Sequence, residues 1–216
     1  MRNRILATVL LTSATLPTQA ASIDVKDNVI QISGTIHLND LLALEVETDG
    51  LDKPMVVRLD SNGGSFLPAI RIGEMIRQKG WSTHVERRCL SACAVIWLSG
   101  SQKSMSTAAQ IGFHQVYNRD TGLVEAQPMN FLRSYLARLG CTKEMIEFAT
   151  QAGPADMSYF TESDSKRLGV QVIVGAMAEP SAIKDERPLA TNSLAPVRSH
   201  VPAQSLDDRI LMRRPR

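Results

Sequence analysis

The chain has 216 residues, and its 24 lysines and arginines nearly balance 22 aspartates and glutamates, for a formal net charge of +2. This balance, without a basic stripe or face, excludes the sequence pattern of a nucleic-acid-binding protein. Hydrophobic residues make up 44% of the chain and charged residues 21%, which is typical of a soluble globular protein and suits one domain with an appendage.

Residues 1–20 have the pattern of a signal peptide. Arg2 and Arg4 precede an apolar run over 5–16, and Ala20 ends a small-residue segment of the kind that a signal peptidase cleaves. The run is shorter than the roughly 20 apolar residues that a membrane-spanning helix needs. We therefore expect a periplasmic or secreted protein with no stable membrane span after cleavage; a short membrane anchor and an ordinary N-terminal helix are the alternatives.

The segment from 21 to 175 alternates strand and helix patterns. The predicted elements, in chain order, are a hairpin over 22–36, a helix over 40–47, a strand over 54–59, a helix over 66–78, a strand over 81–87, a helix after position 91, a short strand over 104–106, an apolar run over 109–115, helices over 129–139 and 143–152, a short helix ending at 168 and a strand over 170–174. Strand–helix–strand–helix order predicts a parallel sheet with right-handed crossovers. The proline-rich tail over 176–216 is predicted to be disordered or loosely docked, with a docking peptide as the alternative.

Ser91 stands where a polar strand end passes through small residues into an apolar helix. The N–H groups of a helix's first turn are free, and the helix dipole favours negative charge there. His114 ends the apolar run of 109–115, so it should emerge at the end of a strand and meet Ser91 across a parallel sheet. A histidine so placed takes the hydroxyl proton and returns it to the leaving group; the alternative is a structural histidine.

Gly63 and Gly64 follow the strand over 54–59 and let the backbone turn sharply and approach a ligand closely. Two N–H groups aimed at one point bind a tetrahedral oxyanion, and the candidates are those of Gly64 and of Ala92, just after the serine. An ordinary strand-to-helix turn is the alternative.

These segments together resemble the Clp protease proteolytic subunit (ClpP). Asp-Ser-Asn-Gly-Gly-Ser follows a strand, Ser91 stands 27 positions after Gly64, and Gly-Phe-His-Gln places His114 23 positions after Ser91. The family has Ser-Pro-Gly-Gly, a serine among small residues, and Met-Ile-His-Gln at nearly these spacings. Asn62 replaces the family's proline, and Cys93 stands where the family has a small residue. The resemblance covers residues 54–175 and implies a ClpP/crotonase-type α/β fold, with a repeated β-β-α superhelical core and a mostly parallel sheet.

The resemblance implies that Ser91 is the nucleophile and His114 the general base, with an oxyanion hole from Gly64 and Ala92. The family's acid, counted back from Gly169, falls on Met157, so the candidate is the adjacent Asp156. Asp164 and a dyad without an acid are the alternatives. The helices over 131–152 would match the region that makes oligomer contacts in the family, so a homo-oligomer is one expected state.

The chain contains three cysteines, which form neither a CxxC pair nor a His/Cys cluster with metal-ligand spacing, so no metal site is expected. An exported protein can form disulfides, and three cysteines allow one bridge and one free thiol. The pairings proposed from the sequence are Cys89–Cys141 and Cys93–Cys141, with small buried packing as the other role of these residues.

The sequence thus predicts an exported, ATP-independent serine hydrolase, most simply a peptidase acting on a peptide or protein substrate, with no cofactor. The alternative is a catalytically inactive ClpP-like binding or scaffold protein of the cell envelope, which the offset acid and the altered loop motivate. A crotonase-like acyl-CoA enzyme is the third hypothesis; an exported location argues against it.

Overall fold

The computed structural model describes residues 20–177. Apart from Ala20, Ala176 and Met177, the predicted signal peptide and C-terminal tail lie outside the described residues. The strands are β1 (Ser22–Lys26), β2 (Val29–Ser33), β3 (Val56–Ser61), β4 (Ser82–Leu90), β5 (Lys103–Met105), β6 (Gln110–Phe113), β7 (Ser158–Phe160) and β8 (Ile173–Val174). The helices are α1 (Asp40–Glu47), α2 (Phe66–Gln78), α3 (Ala92–Leu98), α4 (Ala126–Arg138), α5 (Lys143–Gln151) and α6 (Asp164–Leu168).

The strands form one sheet in the order β1-β2-β3-β4-β5-β8, with β6 beside β4 and β7 beside β6. The neighbouring pairs β2–β3, β3–β4, β4–β5 and β5–β8 are parallel, and so is the β4–β6 pair. The β1–β2 hairpin and the β6–β7 pair are antiparallel. The predicted α/β class is therefore confirmed, and the parallel sheet carries antiparallel strands at two of its edges.

β4 is the strand on which the sheet branches. Its first half pairs with β5 and its last three residues pair with β6, while β3 lies along its other side. The carboxyl ends of β3, β4 and β6 therefore meet at one edge of the sheet. Loops that follow parallel strands at such an edge are the usual position of binding and catalytic groups in α/β sheets.

Helix α3 packs at the centre of the hydrophobic core. All seven of its residues are buried, and Trp97 is completely inaccessible. Because the segment has no polar face, it can only be stable with apolar neighbours on every side, and α2 supplies one of them. The first turn of α3 is thus fixed relative to the sheet. No helix within residues 20–177 is long and apolar enough to cross a membrane.

Candidate functional site

Ser91 occupies a strained junction between β4 and α3. Its backbone has φ 56° and ψ −125°, and Asp27 in the hairpin turn is the one other described non-glycine residue with positive φ. Such a conformation costs about 1–3 kcal/mol and persists only where the surroundings impose it. Here the Ser91 N–H donates to the Gly112 carbonyl at 2.7 Å, and the Ala94 N–H donates to the Ser91 carbonyl at 3.0 Å. The side chain remains half-buried rather than enclosed.

The Gly63–Gly64 loop lies directly against this junction. A Cβ at Gly63, which has φ 94°, would stand 2.6 Å from the Leu90 carbonyl oxygen and 2.8 Å from the Ser91 Cβ. A Cβ at Gly64 would stand 2.1 Å from the Ile36 carbonyl oxygen. Both positions therefore require glycine because backbone approaches them from the other side.

Two backbone donors remain available at the junction. Among residues 20–177, neither the Gly64 N–H nor the Ala92 N–H donates a hydrogen bond to another group. Ala92 is the first residue of α3, so its N–H has no partner within the helix. The Cβ position of Gly63 lies 3.0 Å from the Ala92 nitrogen, which shows that the loop and the helix start are in contact. Unpaired backbone N–H groups are the donors that an oxyanion hole uses.

His114 follows β6 at the same edge of the sheet. Leu90 pairs with Gly112, and the Ser91 N–H bonds to that same Gly112, so His114 lies two residues beyond the point where Ser91 is attached to β6. The half-buried ring donates from Nδ1 to the Gln115 carbonyl at 2.7 Å. A carbonyl oxygen only accepts, so Nδ1 carries the proton and the lone pair of the neutral ring is on Nε2. Within the described chain, the Ser91 hydroxyl and the His114 ring form no hydrogen bond.

The two acid candidates occupy different positions. Asp156 is exposed, and its N–H donates to the Gly153 carbonyl in a turn just before β7. The antiparallel pairing of β6 with β7 ends at Phe113 and Ser158, and beyond it the Gln115 N–H donates to the Ala152 carbonyl at 2.9 Å. Its carboxylate makes no hydrogen bond to the His114 ring, whose Nδ1 bonds to Gln115. The role of Asp156 as the acid of a triad therefore stays a prediction.

The Asp164 carboxylate forms hydrogen bonds with its neighbours at the start of α6. It accepts from the Thr161 N–H at 2.9 Å and the Thr161 hydroxyl at 2.8 Å, and it also bonds to Arg167. Partial burial acts to raise its pKa, but the hydrogen bonds from Arg167 and Thr161 together outweigh burial and lower the pKa. Asp164 thus has a structural function at the helix start.

The predicted disulfides were wrong. The bridge joins Cys89 to Cys93, and Cys141 is a free, half-buried thiol whose pKa is raised by burial. The reversal of the chain at Ser91 brings the end of β4 beside the first turn of α3, so the Cα atoms of Cys89 and Cys93 are 5.1 Å apart. Sequence spacing alone does not reveal this proximity, because the two residues belong to different elements.

Two features of the described chain were not predicted. One is the Gln115 carbonyl on His114. The other is a cluster around the buried His84, which contacts the Ser104 hydroxyl through Nδ1 at 2.9 Å and donates from Nε2 to the exposed Glu86 carboxylate at 3.0 Å. The His84 side chain is therefore enclosed in the sheet, with a residue exposure of 2%. Within residues 20–177 no group of three or more His, Cys, Asp or Glu side chains could hold a metal ion.

Two solved structures with a similar fold are ClpP proteins. A ClpP1 mutant from Listeria monocytogenes superposes with a TM-score of 0.54 at 15% identity, covering 68% of this chain and 91% of that one. The ClpP catalytic domain from Plasmodium falciparum gives a TM-score of 0.53 at 20% identity, covering 71% of this chain and 88% of that one. No family model and no curated protein matches the sequence. The chain therefore has a ClpP-like fold.

Proposed function

We propose that this chain is a serine hydrolase, most simply a peptidase, in which Ser91 is the nucleophile and His114 the general base. The observation that carries the proposal is the junction at Ser91, where a half-buried serine stands on a strained turn at the start of α3 and against the Gly63–Gly64 loop, and the N–H groups of Gly64 and Ala92 are unpaired among the described residues. A structural serine has no need of a backbone conformation that costs free energy. The solved structures of the same fold that are proteases support the choice of a peptidase.

The proposed reaction is acyl transfer. His114 Nε2 removes the hydroxyl proton as Ser91 Oγ attacks the substrate carbonyl carbon, and the N–H groups of Gly64 and Ala92 bind the oxyanion. Collapse of the tetrahedral intermediate breaks the scissile C–N bond, and the leaving amine takes the proton from His114. Water then attacks the acyl-enzyme in the same manner and restores Ser91.

The group that orients His114 is the remaining question of this mechanism. In the structure the Gln115 carbonyl fixes the Nδ1–H tautomer, which leaves the lone pair of the neutral ring on Nε2. An aspartate in a triad also fixes the tautomer and in addition stabilises the imidazolium ion by its charge. Asp156 is the carboxylate proposed for that role once substrate is bound. A Ser91–His114 dyad is the alternative, and the Gln115 contact supports it.

The proposed setting is an exported protein that acts without ATP on a peptide or protein substrate. Signal cleavage after Ala20 and a periplasmic or secreted location are proposed from the sequence. A homo-oligomer is proposed from the fold, because the exposed Phe131 on α4 belongs to the helices that would correspond to oligomer contacts.

Labelling with a fluorophosphonate tests the activity. The reagent should attach covalently to Ser91 of the full chain, as located by peptide mass spectrometry, and the Ser91→Ala variant should remain unlabelled. The Ser104→Ala variant is the matched control, because that hydroxyl is fully buried, and its labelling should equal that of wild type. Absence of label on Ser91 in the folded wild-type protein contradicts the proposal.

The second candidate is a non-catalytic binding or scaffold protein of the cell envelope. The observation that favours it is the His114 ring, which bonds to a backbone carbonyl and to neither Ser91 nor a carboxylate. This candidate predicts that Ser91→Ala and His114→Ala leave partner binding unchanged, as measured by co-purification with the same proteins. It also predicts no fluorophosphonate label, so one experiment separates the two candidates.

A further inference from the structure

The Cys89–Cys93 disulfide closes a five-residue segment whose central residue is Ser91. Cys89 is in β4, where it pairs with Ser61 on one side and Ile111 on the other. Cys93 is in the first turn of α3. Both cysteines are completely buried, so each end of the bridge is held within the core. The bridge therefore joins a fixed strand to a fixed helix around the candidate nucleophile.

The geometry of the junction depends on keeping these ends close. Four extended residue steps would span about 13 Å, whereas the Cα atoms of Cys89 and Cys93 are 5.1 Å apart. A relaxed backbone at Ser91 would leave the positive-φ region and lengthen the segment. The other restraints on Ser91 are the N–H bond to Gly112 and the packing of Gly63 against its Cβ.

We propose that the Cys89–Cys93 disulfide is a positioning element that holds Ser91 in its strained conformation, with Oγ presented beside the Ala92 N–H. The expected effect of the disulfide on catalysis rests on the proposed hydrolase function. Its expected effect on the Ser91 backbone does not depend on that function. Without the bridge, Ser91 relaxes part of the time, its N–H leaves Gly112, and Oγ moves away from the oxyanion donors. Because misplacement of a reacting group by about 1 Å can cost on the order of 10²-fold in rate, the loss appears in kcat.

The test compares the full chain with the variant Cys89→Ala/Cys93→Ala. The first measurement is hydrogen exchange of the Ser91 amide relative to the Trp81 amide, which bonds to Ile76 at 3.0 Å before the opposite end of β4. We expect Ser91 to exchange at least about 10-fold faster than wild type, with Trp81 as the reference. A general loss of stability would accelerate both amides together. An unchanged ratio overturns the proposal.

The second measurement is the rate constant of fluorophosphonate labelling at 25 °C and the kcat and KM for an activated ester. We expect labelling and kcat to fall by about 10- to 100-fold in the folded variant, with KM unchanged within about 3-fold. Cys141→Ala is the matched control, since that thiol is free, and it should label at the wild-type rate. Equal labelling of the double variant and wild type overturns the catalytic consequence. If wild type itself is not labelled, the proposed hydrolase function fails, and the exchange ratio still decides the positioning role.

Discussion

Two serine–histidine pairs of this molecule differ in the properties that catalysis requires. Ser104, His84 and Glu86 form a hydrogen-bonded chain with the order of a catalytic triad, yet His84 is 2% exposed and Ser104 is fully buried. Ser91 and His114 are both half-buried, and no hydrogen bond joins their side chains in the described chain. The complete set of hydrogen bonds thus belongs to the pair that no substrate can reach.

The backbone around each serine explains the difference. Ser104 lies in β5 between β4 and β8, so the neighbouring N–H groups belong to the sheet. Ser91 lies at a helix start, where N–H groups have no partner within the helix. A buried polar cluster gains stability from full satisfaction. A reactive site instead keeps unpaired donors for the charge that develops in the transition state.

The largest expected effect on activity comes from His114→Ala, and His84→Ala is the variant to compare with it. His114→Ala should lower kcat/KM for a peptide or ester substrate by about 10⁴-fold or more, because it removes the proposed general base. His84→Ala should leave the activity of the folded protein within about 3-fold. It should instead lower the free energy of unfolding by about 2–4 kcal/mol, since it removes a buried ring and its hydrogen bonds.

Steady-state kinetics and urea denaturation of both variants measure this contrast. The reverse result, in which His84→Ala removes activity and His114→Ala only destabilises the fold, would contradict the proposed site at Ser91 and His114.

The next effect in size is steric and comes from Gly63→Ala. The new Cβ would stand 2.6 Å from the Leu90 carbonyl oxygen and 2.8 Å from the Ser91 Cβ, so the junction must shift. We expect a loss of at least about 2 kcal/mol of unfolding free energy and at least about 30-fold slower fluorophosphonate labelling of the folded fraction.

Gly122→Ala is the control for backbone strain alone, because Gly122 has φ 70° and nothing lies within 4 Å of its Cβ position. It should cost about 1 kcal/mol and leave labelling unchanged. Equal effects of the two substitutions on labelling would show that contact with Ser91 is not what requires glycine at position 63.

The substitution Asp156→Asn separates the proposed triad from the Ser91–His114 dyad. Where a triad aspartate orients histidine, this change lowers kcat by about 10⁴-fold. Here Nδ1 bonds to the Gln115 carbonyl, so the dyad predicts a change in kcat/KM of less than about 3-fold. A loss of several orders of magnitude would mean that Asp156 contacts His114 when substrate binds, and would complete the triad that the sequence predicts. Asp164→Asn is the parallel variant, and it should affect stability alone.

The elements with local signals could be predicted from the sequence. The bounds of α1 and α2 agree with their predictions, because the spacing of apolar residues along a helix is a local signal. β4 was predicted to end at 87 but continues to Leu90, since its last residues pair with β6, a partner 22 positions away. Pairing between distant segments has no local signal in the chain.

In the candidate site, too, some features could be predicted from the sequence and others could not. Ser91, Gly64 and His114 could be placed at one sheet edge because motif order and topology determine which strand ends meet. The Cys89–Cys93 bridge depends on the sharp reversal at Ser91, which follows from packing rather than from spacing. The Gln115 contact depends on the orientation of the His114 ring, and a ring rotation of this kind leaves no trace in a sequence.

The smallest predicted effect concerns acid stability and the hydrogen bond from the buried His84 to the exposed Glu86. The hydrogen bond from His84 lowers the pKa of Glu86 below the ordinary value of 4.5, against a smaller opposing effect of burial. A carboxyl whose pKa is lower in the folded state stabilises the fold above the unfolded-state pKa and loses that contribution as the pH falls through the folded-state pKa. The free energy of unfolding should therefore decrease below about pH 4.5, and Glu86→Gln should remove part of that slope. The control variant Glu45→Gln, at an exposed position on α1, should retain the full slope. Urea denaturation at pH values between 3 and 6 measures the free energy of unfolding of both variants. The same slope in both variants would mean that the His84–Glu86 hydrogen bond contributes nothing to stability.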